Sequence, residues 1–136
     1  MRVLIVDDEP DIRAVLRLVL EKSDCEVFEE DGATKIVSVA RELEPDIILL
    51  DVMMPKVDGF EAVEALQKHK ETRSIPIAML TALSDLSSIQ RAIDGGATGY
   101  LTKPFSVELL YDQVLAIIEK AHDDSGHKLV DYGRTV

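Results

Sequence analysis

Five polar residues whose side chains suit metal and phosphate chemistry each follow or close a short apolar segment. They are a tandem pair of aspartates, a third aspartate, a threonine and a lysine: Asp7, Asp8, Asp51, Thr81 and Lys103. If the apolar segments are neighbouring strands of one parallel sheet, their carboxyl ends meet at one edge of that sheet. The sequence therefore predicts that three carboxylates, a hydroxyl and an ammonium share one site.

Three carboxylates brought together repel one another, and this repulsion favours a bound cation. Mg²⁺ prefers a few carboxylate oxygens supplemented by water and a substrate phosphate, so it suits such a site. Taken alone, Asp7-Asp8 is more typical of a helix N-cap before Pro10. The position of Asp51 at the end of a central strand shifts the interpretation toward the cation site.

A carboxylate can also attack phosphorus to form an acyl phosphate when its charge and that of the phosphate are neutralised. Asp51, at the end of a central strand, is the natural nucleophile. Lys103 supplies a positive charge for phosphoryl oxygens, and Thr81 supplies a hydroxyl donor. Each of these residues alone is ordinary, because lysines are usually solvated and threonines favour strands. Their common location favours phosphoryl chemistry.

The elements that must position these residues follow from the hydrophobic pattern. Short apolar runs alternate with amphipathic stretches through five rounds, which is typical of a parallel sheet with helical crossovers. The predicted strands are Val3–Val6, Val27–Phe28, Ile47–Leu50, Ile75–Leu80 and Tyr100–Thr102. The predicted helices begin at Pro10, cover Ile36–Leu43, run from about Gly59 to Lys70 and from Ser84 to Gly95, and cover Leu109–Ile118. We predict an α/β domain with a five-stranded doubly wound parallel sheet, order 2-1-3-4-5, and five helices, flavodoxin-like.

Composition limits the classes of function. The chain has 136 residues, 46% apolar and 4% aromatic, which predicts one domain with an aliphatic core. Its net charge of −11 argues against direct binding to nucleic acid or to an anionic membrane. A single cysteine, Cys25, and the lack of a signal-like or membrane-spanning segment predict a cytoplasmic protein. We place the domain at residues 1–121, with residues 122–136 as a polar tail or the start of a linker.

Five short motifs, taken together, resemble a known family. The segments are Val6–Pro10, Leu50–Pro55, Asp58-Gly59, Leu80–Ala82 and Lys103–Phe105. In this order they are similar to the receiver-domain signature of two-component response regulators, with the fold of chemotaxis regulators. The resemblance covers residues 1 to about 120. Each motif is weak alone, but the ordered set is highly specific.

The resemblance implies a set of metal ligands and a phosphoacceptor. Asp51 matches the phosphoacceptor and also belongs to the metal site, while Asp8 matches a direct metal ligand. Asp7 matches a residue that reaches the metal largely through water, and the backbone carbonyl of Met53 matches the third protein ligand. The implied cofactor is Mg²⁺.

The resemblance also implies a switch. Thr81 matches the hydroxyl that moves toward the phosphoryl group, and Lys103 matches the phosphate-binding lysine. Tyr100 matches an aromatic residue whose ring turns inward when Thr81 shifts. The bond from Lys103 to Pro104 is expected to be cis, and Gly59 would relieve the turn after the acceptor loop.

The implied function is a phosphorylation switch rather than a turnover enzyme, because the domain catalyses only its own phosphorylation and dephosphorylation. The implied donor is a sensor histidine kinase, a phosphotransfer protein or a small acyl phosphate. Helix 4, strand 5 and helix 5 would form the output face toward an output domain or target protein that the sequence does not identify. A phosphorylation-dependent homodimer stays open, although Thr98-Gly99 and Gln113 replace the charged residues of one salt-bridged dimer subfamily.

Three other functions fit the sequence less well. A phosphatase of the haloacid-dehalogenase type needs a second aspartate two residues after the nucleophile, but position 53 is Met. A flavin carrier needs a first loop rich in Ser, Thr and Gly, whereas Asp8–Asp11 would repel a phosphate. A degenerate receiver, acting as a phosphorylation-independent interaction module, is disfavoured because all five site positions are filled. The acidic run Glu29–Asp31 is expected to be a solvated strand end.

Overall fold

The computed structural model describes residues 1–82, 88–123 and 130–131, and strands alternate with helices throughout. The strands are β1 (Arg2–Val6), β2 (Glu26–Glu30), β3 (Ile47–Asp51), β4 (Ile77–Ala82), β5 (Gly99–Lys103) and β6 (Val130–Asp131). The helices are α1 (Pro10–Lys22), α2 (Ile36–Leu43), α3 (Gly59–Gln67), α4 (Ile89–Gly95) and α5 (Leu110–His122). None of the helices in the described residues combines the length and the apolar character that a bilayer-spanning helix needs.

The sheet is parallel and has the order β2-β1-β3-β4-β5-β6. Its first five strands and the five helices confirm the predicted architecture. The sixth strand was not predicted. It comprises two residues, Val130 and Asp131, which pair with Gly99 and Tyr100 of β5. A pairing this short leaves no hydrophobic pattern in the sequence, so the segment after α5 gave no signal for a strand.

Both faces of the sheet are covered, which explains why the strands are apolar without alternation. Leu4 and Ile48 belong to the buried cluster on the side of α2, α3 and α4. Val3 and Leu49 belong to the buried cluster on the side of α1 and α5. Successive residues of one strand point to opposite faces, so each strand contributes to both cores. The carboxyl ends of the strands are thereby held between two rigid layers.

Two predicted boundaries differ from the structure for local reasons. α3 ends at Gln67 rather than Lys70, since the buried hydroxyl of Thr72 donates to the carbonyl of Leu66 at 2.6 Å and turns the chain. β4 begins at Ile77 rather than Ile75, because Pro76 has no N–H to donate to a neighbouring strand. The predicted start of helix 4 at Ser84 lies outside the described residues.

Gly59 lets the start of α3 pack directly on the end of β3. Its N–H donates to the carbonyl of Val52 at 2.9 Å, and the preceding residue, Asp58, forms a capping box with Glu61. A Cβ atom added to Gly59 would lie 2.6 Å from the backbone oxygen of Asp51 and 2.8 Å from the Cα of Val52. Only glycine fits there without moving the backbone that carries Asp51.

We therefore expect Gly59→Ala to lower the free energy of unfolding by about 1–3 kcal/mol, the usual cost of overpacking a tight site. Urea unfolding monitored by circular dichroism measures the loss. Gly32→Ala is the matched control, because a Cβ atom at Gly32 meets no other atom within 4 Å. Equal stability of the Gly59→Ala variant and the native chain would contradict the steric argument.

Candidate functional site

The carboxyl ends of four strands bring the predicted polar residues together. Asp7 follows β1, Asp51 ends β3, Thr81 is the penultimate residue of β4 and Lys103 ends β5. The Nζ atom of Lys103 lies 3.1 Å from Oδ2 of Asp7 and 3.4 Å from Oδ1 of Asp51. One ammonium thus contacts two carboxylates that are separated by 44 positions in the sequence.

Asp7 is the most enclosed of these residues, with a fully buried side chain. Its Oδ1 atom accepts a hydrogen bond from the backbone N–H of Glu9 at 2.8 Å, and its Oδ2 atom contacts Lys103. The backbone N–H of Asp7 donates to the carbonyl of Glu30 on β2 at 3.1 Å. A buried carboxylate is costly unless its oxygens are paired, and both oxygens of Asp7 are paired.

Asp51 is held in a setting that disfavours its charge. Burial and the neighbouring charge of Asp7 raise the pKa of Asp51 from 3.8 to about 7. The charge of Lys103 and the hydrogen bond from the Met53 N–H, at 3.3 Å, oppose this rise. The Asp51 carboxyl is therefore sensitive to any positive charge that enters the site.

Lys103 stays charged in the same setting. Burial by itself lowers the pKa of Lys103, but the hydrogen bond to Asp7 and the charges of Asp51 and Asp7 outweigh it and raise that pKa above 10.5. Its ammonium is therefore available to a phosphoryl oxygen as well as to the two carboxylates.

Carboxylate oxygens of Asp7, Asp8, Glu9 and Asp51 all lie within 4.8 Å of one another. Asp7 and Asp51 are buried, whereas Asp8 and Glu9 are exposed. A set of hard oxygen donors with exposed positions on one side matches the preference of Mg²⁺, which keeps several waters. Lys103 supplies one positive charge against four carboxylates, so a divalent cation also fits the site electrostatically.

Glu9 is a site residue that the sequence analysis missed. Its Oε1 atom lies 3.5 Å from Nζ of Lys103, and the residue lines the pocket beside Asp51. The signal was the unbroken acidic run Asp7-Asp8-Glu9, of which only the aspartate pair is assigned to the predicted site.

A pocket of about 180 Å³ lies beside Asp51, Thr81 and Lys103. The hydroxyl of Thr81 is buried and donates to the carbonyl of Ala82 at 3.3 Å. Met53 is 69% exposed at the rim. The pocket is lined by Glu9, Asp51, Val52, Met53, Leu80, Thr81, Ala82 and Lys103. Its volume suits a small anionic group rather than a large cofactor such as a flavin.

Four predicted residues do not line this pocket: Asp7 and Asp8 of the acidic cluster, Tyr100 and Pro104. Tyr100 is 4% exposed and belongs to the buried cluster on the side of α4, together with Met79 and Ala92. Its ring therefore already lies inward in this structure. Pro104 follows Lys103 through a cis peptide bond at the exit from β5.

The acidic run at the end of β2 differs from its expected solvated state. The carboxylate of Glu29 is 27% exposed and forms ion pairs with Arg13 and Arg17 of α1. Asp31 is exposed, as expected. The two arginines are four positions apart, so they share one face of α1 and reach the same partner. The expectation of a solvated side chain is wrong for Glu29.

Comparison with known proteins gives consistent matches. A family model described as the response regulator receiver domain matches residues 3–115. The DNA-binding dual master transcriptional regulator RpaA of Synechocystis sp. is 40% identical over 119 residues, which cover 88% of this chain and 49% of RpaA. The response regulator PleD of Caulobacter vibrioides is 40% identical over 120 residues, covering 85% of this chain and 26% of PleD. The chain thus spans about half the length of the first relative and about a quarter of the second.

Solved structures match over most of their length. A response regulator structure from Chloroflexus aurantiacus superposes with a TM-score of 0.82 at 32% identity, covering 87% of this chain and 97% of that one. The chemotaxis protein CheY4 of Vibrio cholerae superposes with a TM-score of 0.79 at 33% identity, covering 85% and 97%.

The electrostatics of the pocket predict that Asp51→Asn stabilises the protein in the presence of EDTA. A carboxyl pKa raised from 3.8 to about 7 means that ionising Asp51 costs the folded state up to about 4 kcal/mol. Below pH 3.8 the carboxyl is protonated in folded and unfolded chains alike, so this cost is absent. It grows as the pH rises and is complete above pH 7.

Urea unfolding at several pH values measures the effect. We expect the stabilisation by Asp51→Asn to be larger at pH 8 than at pH 5, on the order of 1–4 kcal/mol. Asp58→Asn is the control, because asparagine caps a helix as well as aspartate does. A stabilisation that does not change with pH would contradict this account of Asp51.

Proposed function

The chain belongs to the response regulator receiver domain family, and we propose that it is a switch that accepts a phosphoryl group on Asp51 in a Mg²⁺-dependent reaction. The observation that carries this proposal is the contact of one ammonium, Lys103, with the two buried carboxylates of Asp7 and Asp51. The donor is a sensor histidine kinase, a phosphotransfer protein or a small acyl phosphate. The reaction is confined to the domain itself and is not turnover of a separate substrate.

In the proposed reaction, a carboxylate oxygen of Asp51 attacks phosphorus and forms a P–O bond. The bond from phosphorus to the donor, a histidine nitrogen or an acyl oxygen, breaks, and the donor leaves with its electron pair. When bound, Mg²⁺ would neutralise charge on the carboxylates and on the phosphoryl oxygens. Asp7, Asp8, Asp51 and the Met53 carbonyl are the groups that we assign to the metal.

Lys103 and Thr81 are assigned to the phosphoryl oxygens. Lys103 is half-buried and already charged, so it can exchange the Asp51 carboxylate for a phosphoryl oxygen without changing its protonation state. Thr81 lines the same pocket, and its hydroxyl currently donates to a backbone carbonyl at 3.3 Å, a weak bond that it can exchange for an anionic acceptor.

The register of the sheet supports a path from Thr81 to the output face. Met79 and Thr81 are two positions apart on β4, so their side chains point to the same face of the sheet. Tyr100 is the β5 partner of Met79 in the parallel register, which places it on that face as well. A shift of Thr81 toward a phosphoryl group therefore changes the space beside Tyr100. We propose α4, β5 and α5 as the surface that transmits this change.

The output itself belongs to another polypeptide segment or another protein. RpaA is named as a DNA-binding regulator, and this chain matches only about half of it. A net charge of −11 opposes contact of this domain with nucleic acid, so we propose that the domain acts on an effector domain or a target protein. Phosphorylation-dependent pairing of two copies is one form that this output can take.

The proposed acceptor predicts the outcome of intact-mass spectrometry after incubation with acetyl phosphate. The native chain should gain one base-labile phosphoryl group in the presence of Mg²⁺ and none in EDTA. Asp51→Asn should gain none, because an amide cannot act as the nucleophile. Asp58→Asn should be modified like the native chain. Full modification of Asp51→Asn, or none of the native chain with Mg²⁺, would overturn the proposal in favour of another acceptor or a phosphorylation-independent module.

The proposed switch predicts that Thr81→Ala separates phosphorylation from its readout. The variant should still be phosphorylated on Asp51, but the accompanying ¹H–¹⁵N chemical-shift changes in α4 and at Tyr100 should be reduced. Thr81→Ser is the matched control, since it keeps the hydroxyl. Shift changes in Thr81→Ala as large as those in the native domain would show that the hydroxyl does not couple the two regions.

A further inference from the structure

Arg13 joins α1 to the backbone of the acidic loop. Its Nη1 atom donates a hydrogen bond to the carbonyl oxygen of Asp7 at 2.6 Å. Its Nε atom donates to Oε1 of Glu29 at 3.0 Å, and the side chain is 18% exposed. The guanidinium thus spans two elements: the loop that carries the acidic cluster and the end of β2.

Glu29 orients this guanidinium. Its second carboxylate oxygen accepts a hydrogen bond from Nε of Arg17, one helical turn after Arg13. The hydrogen bond from Arg17 lowers the pKa of Glu29, and that from Arg13 adds to this effect against the opposing effect of burial. Glu29 therefore remains an anion held between two arginines. Arg17 contacts the same carboxylate as Arg13, but within the described residues its ion pairs are with Glu29 and Glu21 and not with the acidic loop.

The carbonyl group that Arg13 binds belongs to the peptide between Asp7 and Asp8. Because a peptide group is planar, fixing the oxygen of Asp7 fixes the orientation of the peptide that joins Asp7 to Asp8. These two residues carry adjacent carboxylates of the acidic cluster. The other contacts of Asp7 hold its N–H and its carboxylate. The hydrogen bond from Arg13 therefore restrains rotation of the peptide group between Asp7 and Asp8.

We propose that Arg13 is a positioning residue for the divalent cation: by holding the peptide between Asp7 and Asp8, it sets the relative placement of their carboxylates without touching the ion. This inference rests on the proposed function, since it assumes that the acidic cluster binds Mg²⁺. Groups that orient metal ligands typically change metal affinity by about 10–100-fold when they are removed.

The test compares Arg13→Met with Arg17→Met. Both variants remove an arginine that pairs with Glu29, but only the first removes the donor to Asp7. Mg²⁺ is titrated into each ¹⁵N-labelled protein, and the amide signals of Glu9 and Met53 are followed, because these N–H groups donate to the Asp7 and Asp51 carboxylates. Urea unfolding in EDTA measures the stability of each variant separately.

We expect Mg²⁺ to bind Arg13→Met about tenfold more weakly than the native chain, and Arg17→Met to bind it within about twofold. Arg13→Lys should give an intermediate loss, because one ammonium cannot hold both oxygens in the geometry of the guanidinium fork. If Arg13→Met does not fold, Arg13→Lys against Arg17→Met decides the same question.

Two results would overturn the inference while leaving the proposed function intact. One is native Mg²⁺ affinity in a folded Arg13 variant. The other is an equal loss in the Arg17 variant, which would assign the effect to the ion pairs with Glu29. Failure of the native chain itself to bind Mg²⁺ would instead overturn the proposed function and, with it, this inference.

Discussion

The rest of the site depends on the contact of one ammonium, that of Lys103, with the two buried carboxylates of Asp7 and Asp51. Two carboxylates in a partly desolvated pocket repel each other, and Lys103 is the cation that holds them together. The arrangement is stable only while the surrounding backbone keeps these groups in place. Because the negative charge of these carboxylates is only partly compensated, the pocket responds strongly to an added cation or to an added phosphoryl group. A switch requires such a response.

The sheet provides that rigid backbone. Four parallel strands end at the same edge, and the residues just before their ends, such as Leu50 and Leu80, are fully buried between two helical layers. Gly59 and the capped start of α3 pack against the end of β3, which carries Asp51. Polar groups therefore project from a framework that has little freedom to relax their mutual repulsion. This is how a core made of aliphatic residues contributes to the electrostatics of the site.

The hydrophobic pattern was sufficient to predict a doubly wound parallel sheet. The usual order of such a sheet with five strands, 2-1-3-4-5, brings together the strand ends that carry Asp7, Asp51, Thr81 and Lys103. The pattern could not predict Glu9 as a neighbour of Lys103, since that contact depends on the rotamer of an exposed side chain. It also missed the pairing of Glu29 with α1, which depends on how a helix crosses a strand rather than on local sequence. The ends of α3 and β4 were set by single residues, Thr72 and Pro76, that a periodicity analysis does not weigh.

The two-residue strand β6 bears on the behaviour of the sheet at its borders. Exposed strand edges can pair with other chains, and proteins protect them with charge or with a covering segment. At one border, β2 has the sequence EVFEE, in which three of five residues are glutamates. At the other border, β5 is partly capped by Val130 and Asp131, which pair at Gly99 and Tyr100. The sheet thus discourages edge-to-edge association in two different ways, by charged side chains on one edge strand and by pairing of backbone N–H and C=O groups on the other.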